Sequence, residues 1–379
     1  MGTKKRGQNE GSIYRRSDGR WCASLTVGYR SGKQIRKAVY GSSREEVASR
    51  LASLQRAKVE GIPASNDRIT TEQFLRQWLV TVEPNVAYKT YVSYEQIVRL
   101  HLIPCLGKTP LAKLSVEKIQ AFLNNKLRDR EISARTVAYT RRLLSMALKK
   151  AVVWNLCPRN NAVLTDAIKV PAFKIEPMAP DDARRILEAI RGHRWEAVFI
   201  VALASGMRAG EVLALHWKDV DLKEGILFVR QKLQRQNGKL TLDEPKSEHS
   251  KRYLRLPQVA IQALKAHRSA QNQLKLLAGE KWKGTDFIFT TSIGTPIDIC
   301  NLDKEWLKIL QGAELPRIRI HDLRHGFATL LLAKGANIKT ISDALGHSQV
   351  SFTLKTYAHV GDALKQEAAD KMDQVLGLE

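Results

Sequence analysis

Cysteine is scarce in this chain of 379 residues: Cys22, Cys105, Cys157 and Cys300 are scattered, with no C-x-x-C pair. That spread excludes a cysteine-based zinc ribbon and fits reduced, buried thiols in a cytoplasmic protein, in a bacterium a nucleoid-associated one. Long apolar runs are missing as well, so no segment is suited to spanning a bilayer and no membrane partner is expected. The opening MGTKKRGQNEGS is basic and polar, with no apolar stretch behind it, which argues against a secretory signal. Arg6 stands where a myristoylation signal wants Ser or Thr. Acidic residues are in short supply: Asp and Glu total 38 against 62 Lys and Arg, a net charge of +24. So large an excess without a membrane element points to nucleic acid. With 44% hydrophobic residues the chain still has material for proper cores, and its length suits two or three domains.

A first domain is expected over residues 1–62. RWCASLTVGY alternates, with Trp21, Ala23, Leu25 and Val27 on one face and Cys22, Ser24 and Thr26 on the other, the period of a half-buried strand. SDGR before it and RSGK after it are turn signals, giving three strands joined by two hairpins, the last being KQIRKAVY. Ser43 and Glu46 form a capping box for a helix whose inner face carries Val47, Leu51 and Leu54. One sheet face is left uncovered, ringed by Arg15, Arg16, Arg20, Arg30, Lys33, Arg36 and Lys37. Such cations are either ordinary solubilising charge or phosphate contacts of a sheet laid in a DNA groove; the second reading is the expectation.

GIPASNDR (61–68) has the composition of a linker. Residues 69–160 then show apolar positions at three- and four-residue steps, a helical bundle of four or five helices broken at Pro104, Gly107 and Pro110. Its last helix carries a stripe of Val137, Leu143, Leu144, Ala147 and Ala151, with Arg135, Arg141 and Arg142 as candidate DNA contacts. Residues 155–180 read as a second linker, and 177–379 as the largest domain, mainly helical. Its helix opens at Asp181, and short strands are expected in GILFVRQK, in GKLTLDEPKSEHSKRYLRLP and at DFIFT. The fold class is therefore multidomain and mainly α, with small β elements.

The chemistry sits in that last domain. RIHDLRHGFATLLLAKG places His321 and His325 four apart with Asp322 between them, one change from the H-E-x-x-H of a zinc protease. Arg324 in the same turn repels a dication, and the general-base Glu is missing, so an anion clamp is expected and no metal. Arg208 lies in GMRAGE, at a break before a helix, where a guanidinium holds phosphate well; pairing with Glu211 or Asp219 is the other use open to it. Lys246 lies near the turn of a hairpin, His347 just beyond a short helix ended by Gly346, and Tyr357 ten residues further on.

Taken together, Arg208 in GMRAGE, Lys246 in EPKSEHSKR, His321 and Arg324 in HDLRH, His347 in LGHS and Tyr357 in LKTYAHV resemble the signature of a tyrosine recombinase of the phage-integrase type. The likeness covers nearly the whole chain, with an arm-type DNA-binding domain first, a core-binding bundle second and the catalytic domain last. RNNA at 159–162 departs from the Asn-Pro often found at that domain edge. The resemblance implies site-specific integration or excision of a mobile element through a 3′-phosphotyrosyl intermediate, with Tyr357 as nucleophile and no cofactor. A tyrosine hydroxyl, with a pKa of about 10, is a poor nucleophile at neutral pH and needs help. Arg208 and Arg324 would meet the charge on the phosphate, His321 would serve as acid or base, His347 would donate to a phosphate oxygen, and Lys246 would protonate the departing 5′ oxygen. The implied partners are double-stranded DNA with core-type and arm-type sites, a homotetramer on that DNA, and accessory DNA-bending or directionality factors. The alternatives are a type IB topoisomerase-like enzyme and a catalytically inactive DNA-binding regulator. The amphipathic tail, with Leu364, Ala368 and Met372 on one side, is expected to dock on a neighbouring protomer.

Overall fold

A computed structural model describes residues 11–30, 33–59, 69–171, 176–244, 250–357, 372–374 and 376–377. Two compact units make up the chain, Met1–Ala172 and Phe173–Glu379. Secondary structure is mainly helical with small antiparallel sheets, and no described helix is long and apolar enough to cross a membrane.

In the first unit β1 (Ser12–Arg15), β2 (Trp21–Arg30) and β3 (Lys33–Gly41) form an antiparallel sheet in chain order, followed by α1 (Arg44–Val59). The alternation in β2 turns Ala23 and Leu25 toward Val47 and Leu51 of α1. A bulge between Thr26 and Gly28 leaves Val27 without a cross-strand partner, so the strict alternation stops short of it. On the other face Tyr14, Cys22 and Tyr40 are cross-strand neighbours, with Cys22 buried between two half-exposed tyrosines. Ser43 Oγ caps α1 by accepting the Glu46 N–H at 3.1 Å. The Glu46 carboxylate reaches one residue further back than a capping box requires, accepting the N–H and hydroxyl of Ser42 at 2.9 Å each.

The same unit holds the bundle: α2 (Thr71–Val82), α3 (Tyr88–Ile97), α4 (Ile103–Leu106), α5 (Val116–Arg128) and α6 (Ala134–Val153). Thr70, Ser115 and Ser133 cap α2, α5 and α6. Phe74, Trp78, Leu102, Leu123 and Leu144 lie in the core, and every residue of the expected α6 stripe is buried. Pro104 does not break the chain as expected. A π-turn at Val98–Leu102 connects α3 to α4, so the helical path runs on through the proline to Leu106 and stops at Gly107. Wider i→i+5 bonding of this kind takes up the extra residue a proline-bearing helix has to accommodate.

Residues 155–168 also differ from the linker reading, because they pack onto the bundle. Cys157, Ala162 and Ile168 join its core. Asn160 donates to the Ser145 carbonyl at 2.8 Å and Asn161 to the Leu114 carbonyl at 2.7 Å, so the two asparagines of RNNA serve as braces. Arg141 completes the fastening, its guanidinium donating to Thr165 Oγ1 (2.8 Å), the Thr165 carbonyl (2.7 Å) and the Val163 carbonyl (3.2 Å). Backbone carbonyls in an irregular segment need donors, and these side chains supply them.

The second unit opens with α7 (Pro180–Ala189). It begins at Pro180 rather than Asp181, with the Ala179 N–H held by the Asp182 carboxylate at 3.2 Å; proline suits a first helical turn, where its missing N–H has no partner to lose. Next come α8 (Glu196–Ser205) and the short α9 (Ala209–Val212). Strands β4 (Val220–Asp221), β5 (Ile226–Val229) and β8 (Arg252–Arg255) form one antiparallel sheet, and β6 (Lys232–Gln236) pairs with β7 (Lys239–Asp243) in a hairpin. DFIFT, expected as a strand, makes only isolated bridges, His216 to Phe287 and Thr290 to Pro296. Its burial comes from packing, with Phe287, Ile288 and Phe289 all buried. Helices α10 (Gln258–Ala278), α11 (Ile299–Gly312), α12 (Ile320–Ala333), α13 (Ile338–Leu345) and α14 (Val350–Tyr357) complete the unit. α8 is apolar nearly all round, with Val198, Phe199, Val201 and Ala202 buried, so it forms the centre against which α10 and α12 pack. The tail positions Leu364 and Ala368 lie outside the described residues.

Candidate active site

The centre of the site is the end of α8. Gly206 closes that helix in the left-handed region, φ 62°, and a Cβ there would come within 2.4 Å of the Phe327 ring on α12. Its carbonyl accepts a hydrogen bond from Arg324 Nη1 at 2.7 Å. Arg324 is 3% exposed, and its Nη2 has no hydrogen-bond partner among the described residues. Burial, then the charge of Arg208, pushes its pKa down to about 9, which still leaves it charged at neutral pH. A buried guanidinium with an unused donor is costly by itself and becomes favourable once an anion fills the gap.

Arg208 caps α9, two residues beyond Gly206. The pairing alternative is realised: Nη1 lies 2.8 Å from Glu211 Oε1, while the side chain stays 42% exposed. Asp219 is paired elsewhere, with Arg230 at 3.1 Å. Glu211 also binds Arg252 Nη2 at 3.1 Å, a residue that nothing in SKRYLRLP marks out from the neighbouring cations. Burial alone would raise the Glu211 pKa, but Arg252 and Arg208 outweigh it and hold the carboxyl below its usual range.

On α12, His321 and Arg324 occupy the first turns. His321 is exposed at its surface yet crowded by protein on its other sides; this desolvation, then the Arg324 charge, holds its pKa below the ordinary histidine value. Asp322 is fully engaged: Oδ2 accepts the Arg319 N–H and Nε at 2.9 Å each, and Oδ1 accepts Arg319 Nη2 at 2.7 Å. The carboxylate that made the H-D-x-x-H run look metal-like thus braces its own helix start. Among the described residues no group of three or more His, Cys, Asp or Glu forms a metal-holding cluster.

α13 stops at Gly346 in the left-handed conformation, and His347 follows. Its Nδ1 lies 2.7 Å from Thr353 Oγ1 on α14, and its ring stands edge-on to Phe352 at 4.9 Å. Burial, then Arg324 and Arg208, pushes its pKa down to about 4, so the imidazole is neutral at pH 7. Tyr357 ends α14, only 2% exposed, packed with Ala328, Leu332, Ile341 and Leu345. Its hydroxyl lies 2.8 Å from His325 Nδ1, and the two rings are 5.8 Å apart. Burial drives the phenol pKa up to about 12, with Arg324 pulling the other way. His325 itself is pushed down to about 4 by burial and by His321, whose ring stands 5.1 Å away.

Arg208, Arg324, His321, His347 and Tyr357 are therefore brought together around the ends of α8, α12, α13 and α14. Lys246 lies outside the described residues. The candidate DNA contacts fare unequally. Arg15, Arg16, Arg20 and Arg36 are exposed around the N-terminal sheet; Arg16 and Arg20 flank Asp18, and Arg16 also stacks over Tyr40. Lys37 is half-buried, and the side chains of Arg30 and Lys33 lie outside what is described. Arg135 and Arg142 are exposed on α6, whereas the Arg141 guanidinium donates to Thr165 and to the Val163 carbonyl.

Residues 176–363 match the model of the phage integrase family, and residues 70–127 match the phage integrase N-terminal SAM-like domain. A tyrosine recombinase XerC-like protein of Caldanaerobacter subterraneus is 30% identical over 376 residues, 93% of this chain and 95% of the relative. Among solved structures, the Tn1549 transposon integrase in complex with a circular intermediate DNA superposes with a TM-score of 0.69 at 21% identity, covering 80% of this chain and 99% of that one. A lambda integrase dimer bound to a COC′ core site gives a TM-score of 0.60 at 17% identity, covering 93% and 96%.

Proposed function

The chain belongs to the phage integrase family of tyrosine recombinases, and from that premise we propose that Tyr357 attacks a DNA phosphodiester held between Arg208 and Arg324. The observation that carries this reading is the Nη2 of buried Arg324, which has no hydrogen-bond partner among the described residues and lies within electrostatic reach of both Arg208 and Tyr357. In the step, the phenol oxygen bonds to phosphorus and the bond to the 5′ oxygen breaks. The phenolic proton passes to a histidine, with His325 already at hydrogen-bond distance and His321 beside it. A proton from Lys246 goes to the departing 5′ oxygen. Arg208 and Arg324 meet the charge on the non-bridging oxygens, and preorganised donors of this kind contribute about 10²–10³ in rate each. His347, its Nδ1 fixed by Thr353, has Nε2 without a partner among the described residues and donates it to phosphate. The resulting 3′-phosphotyrosyl link conserves the phosphodiester, so the 5′ hydroxyl of a second strand reverses the step.

The biological role that follows is insertion or excision of a mobile element. Four protomers would serve two duplexes exchanged strand by strand, the amphipathic tail joining neighbours. Residues 1–62 would read arm-type sites through the Tyr14–Tyr40 face, residues 69–160 would grip core-type DNA, and residues 177–379 would do the chemistry. The wide separation of two such sites is what would call for DNA-bending or directionality factors. A nicked suicide duplex carrying the element's end sequences tests the proposal. Wild-type protein should accumulate a covalent adduct, in EDTA as in buffer, and Tyr357→Phe should form none; an adduct that survives Tyr357→Phe identifies another nucleophile and ends this reading.

A further inference from the structure

Arg252 stands at the start of β8 and is tied to α13, to Glu211 and to the segment that leads into its own strand. Its Nε donates to the Ala344 carbonyl at the end of α13 (2.7 Å), its Nη1 to the Ser250 carbonyl (3.1 Å) and its Nη2 to Glu211 Oε2 (3.1 Å). The Arg252 side chain is 8% exposed and that of Glu211 4%, so both are locked in place. Gly346 permits the approach, since a Cβ there would come within 2.8 Å of Arg252 Nη1.

The division of Glu211's oxygens is the point. Oε1 takes Arg208 Nη1, while Oε2 is shared by the Arg208 main-chain N–H (3.1 Å) and Arg252. A carboxylate free to turn would grip one guanidinium with both oxygens, the favoured fork geometry. Occupied by Arg252, it holds Arg208 by a single nitrogen, and the rest of the fork has no partner among the described residues.

We infer that Arg252 is a positioning residue for strand cleavage, which keeps Glu211 from chelating Arg208 and so leaves that guanidinium free to bind the scissile phosphate. The inference rests on the assignment of Arg208 to phosphate. Loss of Arg252 should act through the charge of the substrate, because a misdirected Arg208 matters only where phosphate oxygens need neutralising. A purely architectural role would slow every substrate alike.

The experiment compares wild type, Arg208→Lys, Arg252→Lys and Glu211→Gln on two nicked duplexes of the element's end sequence. One has an ordinary scissile phosphate; the other has a methylphosphonate, in which a methyl group replaces one charged non-bridging oxygen. Arg252→Lys should cleave the phosphate about 10²-fold more slowly, the effect of a small misplacement in a preorganised site, while binding DNA as wild type does. On methylphosphonate its deficit should shrink in parallel with that of Arg208→Lys. A variant carrying both Arg208→Lys and Arg252→Lys should be no slower than Arg208→Lys alone. If Arg252→Lys melts far below wild type, the isosteric Glu211→Gln takes the same comparison and should show the same substrate dependence. Unchanged cleavage of the phosphate, or an equal loss on both duplexes, overturns the positioning role. Wild-type protein that binds the phosphate duplex without cleaving it overturns the functional reading itself, and this inference with it.

Discussion

His325 Nδ1 lies 2.8 Å from the hydroxyl of Tyr357, joining the middle of α12 to the last residue of α14. The residue spacing had paired His325 with His321, and a metal was the question that raised. The contact gives His325 a different task, holding the proposed nucleophile by the atom that must react.

Replacing either partner separates the chemistry from the fold. Tyr357→Phe removes one hydrogen bond from a buried pair and should cost only about 1 kcal/mol, so the protein should melt near wild type and bind DNA while yielding no adduct. His325→Gln should slow cleavage by about 10²-fold if His325 takes the proton. Single-turnover rates across pH measure this, and a rate equal to wild type assigns the proton to His321.

Stability should fall in acid before carboxylates are protonated. His325 and His347 have folded pKa values of about 4 against an ordinary 6.5. Between those values the unfolded chain binds protons that the folded chain refuses, so the contribution is complete above pH 6.5 and lost as pH falls toward 4. Tyr357, at about 12 against 10, contributes stability that is complete below pH 10 and lost between 10 and 12. Urea midpoints from pH 4 to 8 test the acid limb. A His347→Asn variant should show a shallower decline; an identical slope contradicts the assignment.

Two neighbouring arginines on α6 should behave as opposites. Arg141→Ala releases the segment at 163–165 and should lower stability by about 1–3 kcal/mol with little change in the salt dependence of DNA binding. Arg142→Ala, on an exposed residue, should spare the melting temperature. If it contacts phosphate, it should reduce the salt slope by about one.

Deleting residues 1–60 should leave cleavage of a short core site intact and abolish binding to a separate distal site. Normal integration by the shortened protein would remove the arm-binding role from the N-terminal sheet.

The strongly periodic elements were legible without coordinates. The β2 alternation and the α6 stripe follow from burying one face, a constraint written directly into residue order. Where the simple local rules failed, a backbone adjustment or a tertiary brace had intervened. Pro104 stays within a helical path because a π-turn accommodates it, and 155–168 looks like a linker until Asn160, Asn161 and Arg141 are seen to brace it. Phe287 to Phe289 read as a strand because apolar runs in strands and in buried loops look alike.

The order of residue types along the chain determined the excess of positive charge and the set of arginines, histidines and tyrosine that resembles one family, because composition and spacing are properties of the chain itself. Only the folded molecule decided that Glu211 lies between Arg208 and Arg252, that one nitrogen of Arg324 has no partner among the described residues, and that Tyr357 is buried against His325. These relationships join residues up to 118 positions apart, as Arg324 to Gly206 does. Hydrogen-bond direction and desolvation depend on where separate helices end in space, and no local pattern encodes that.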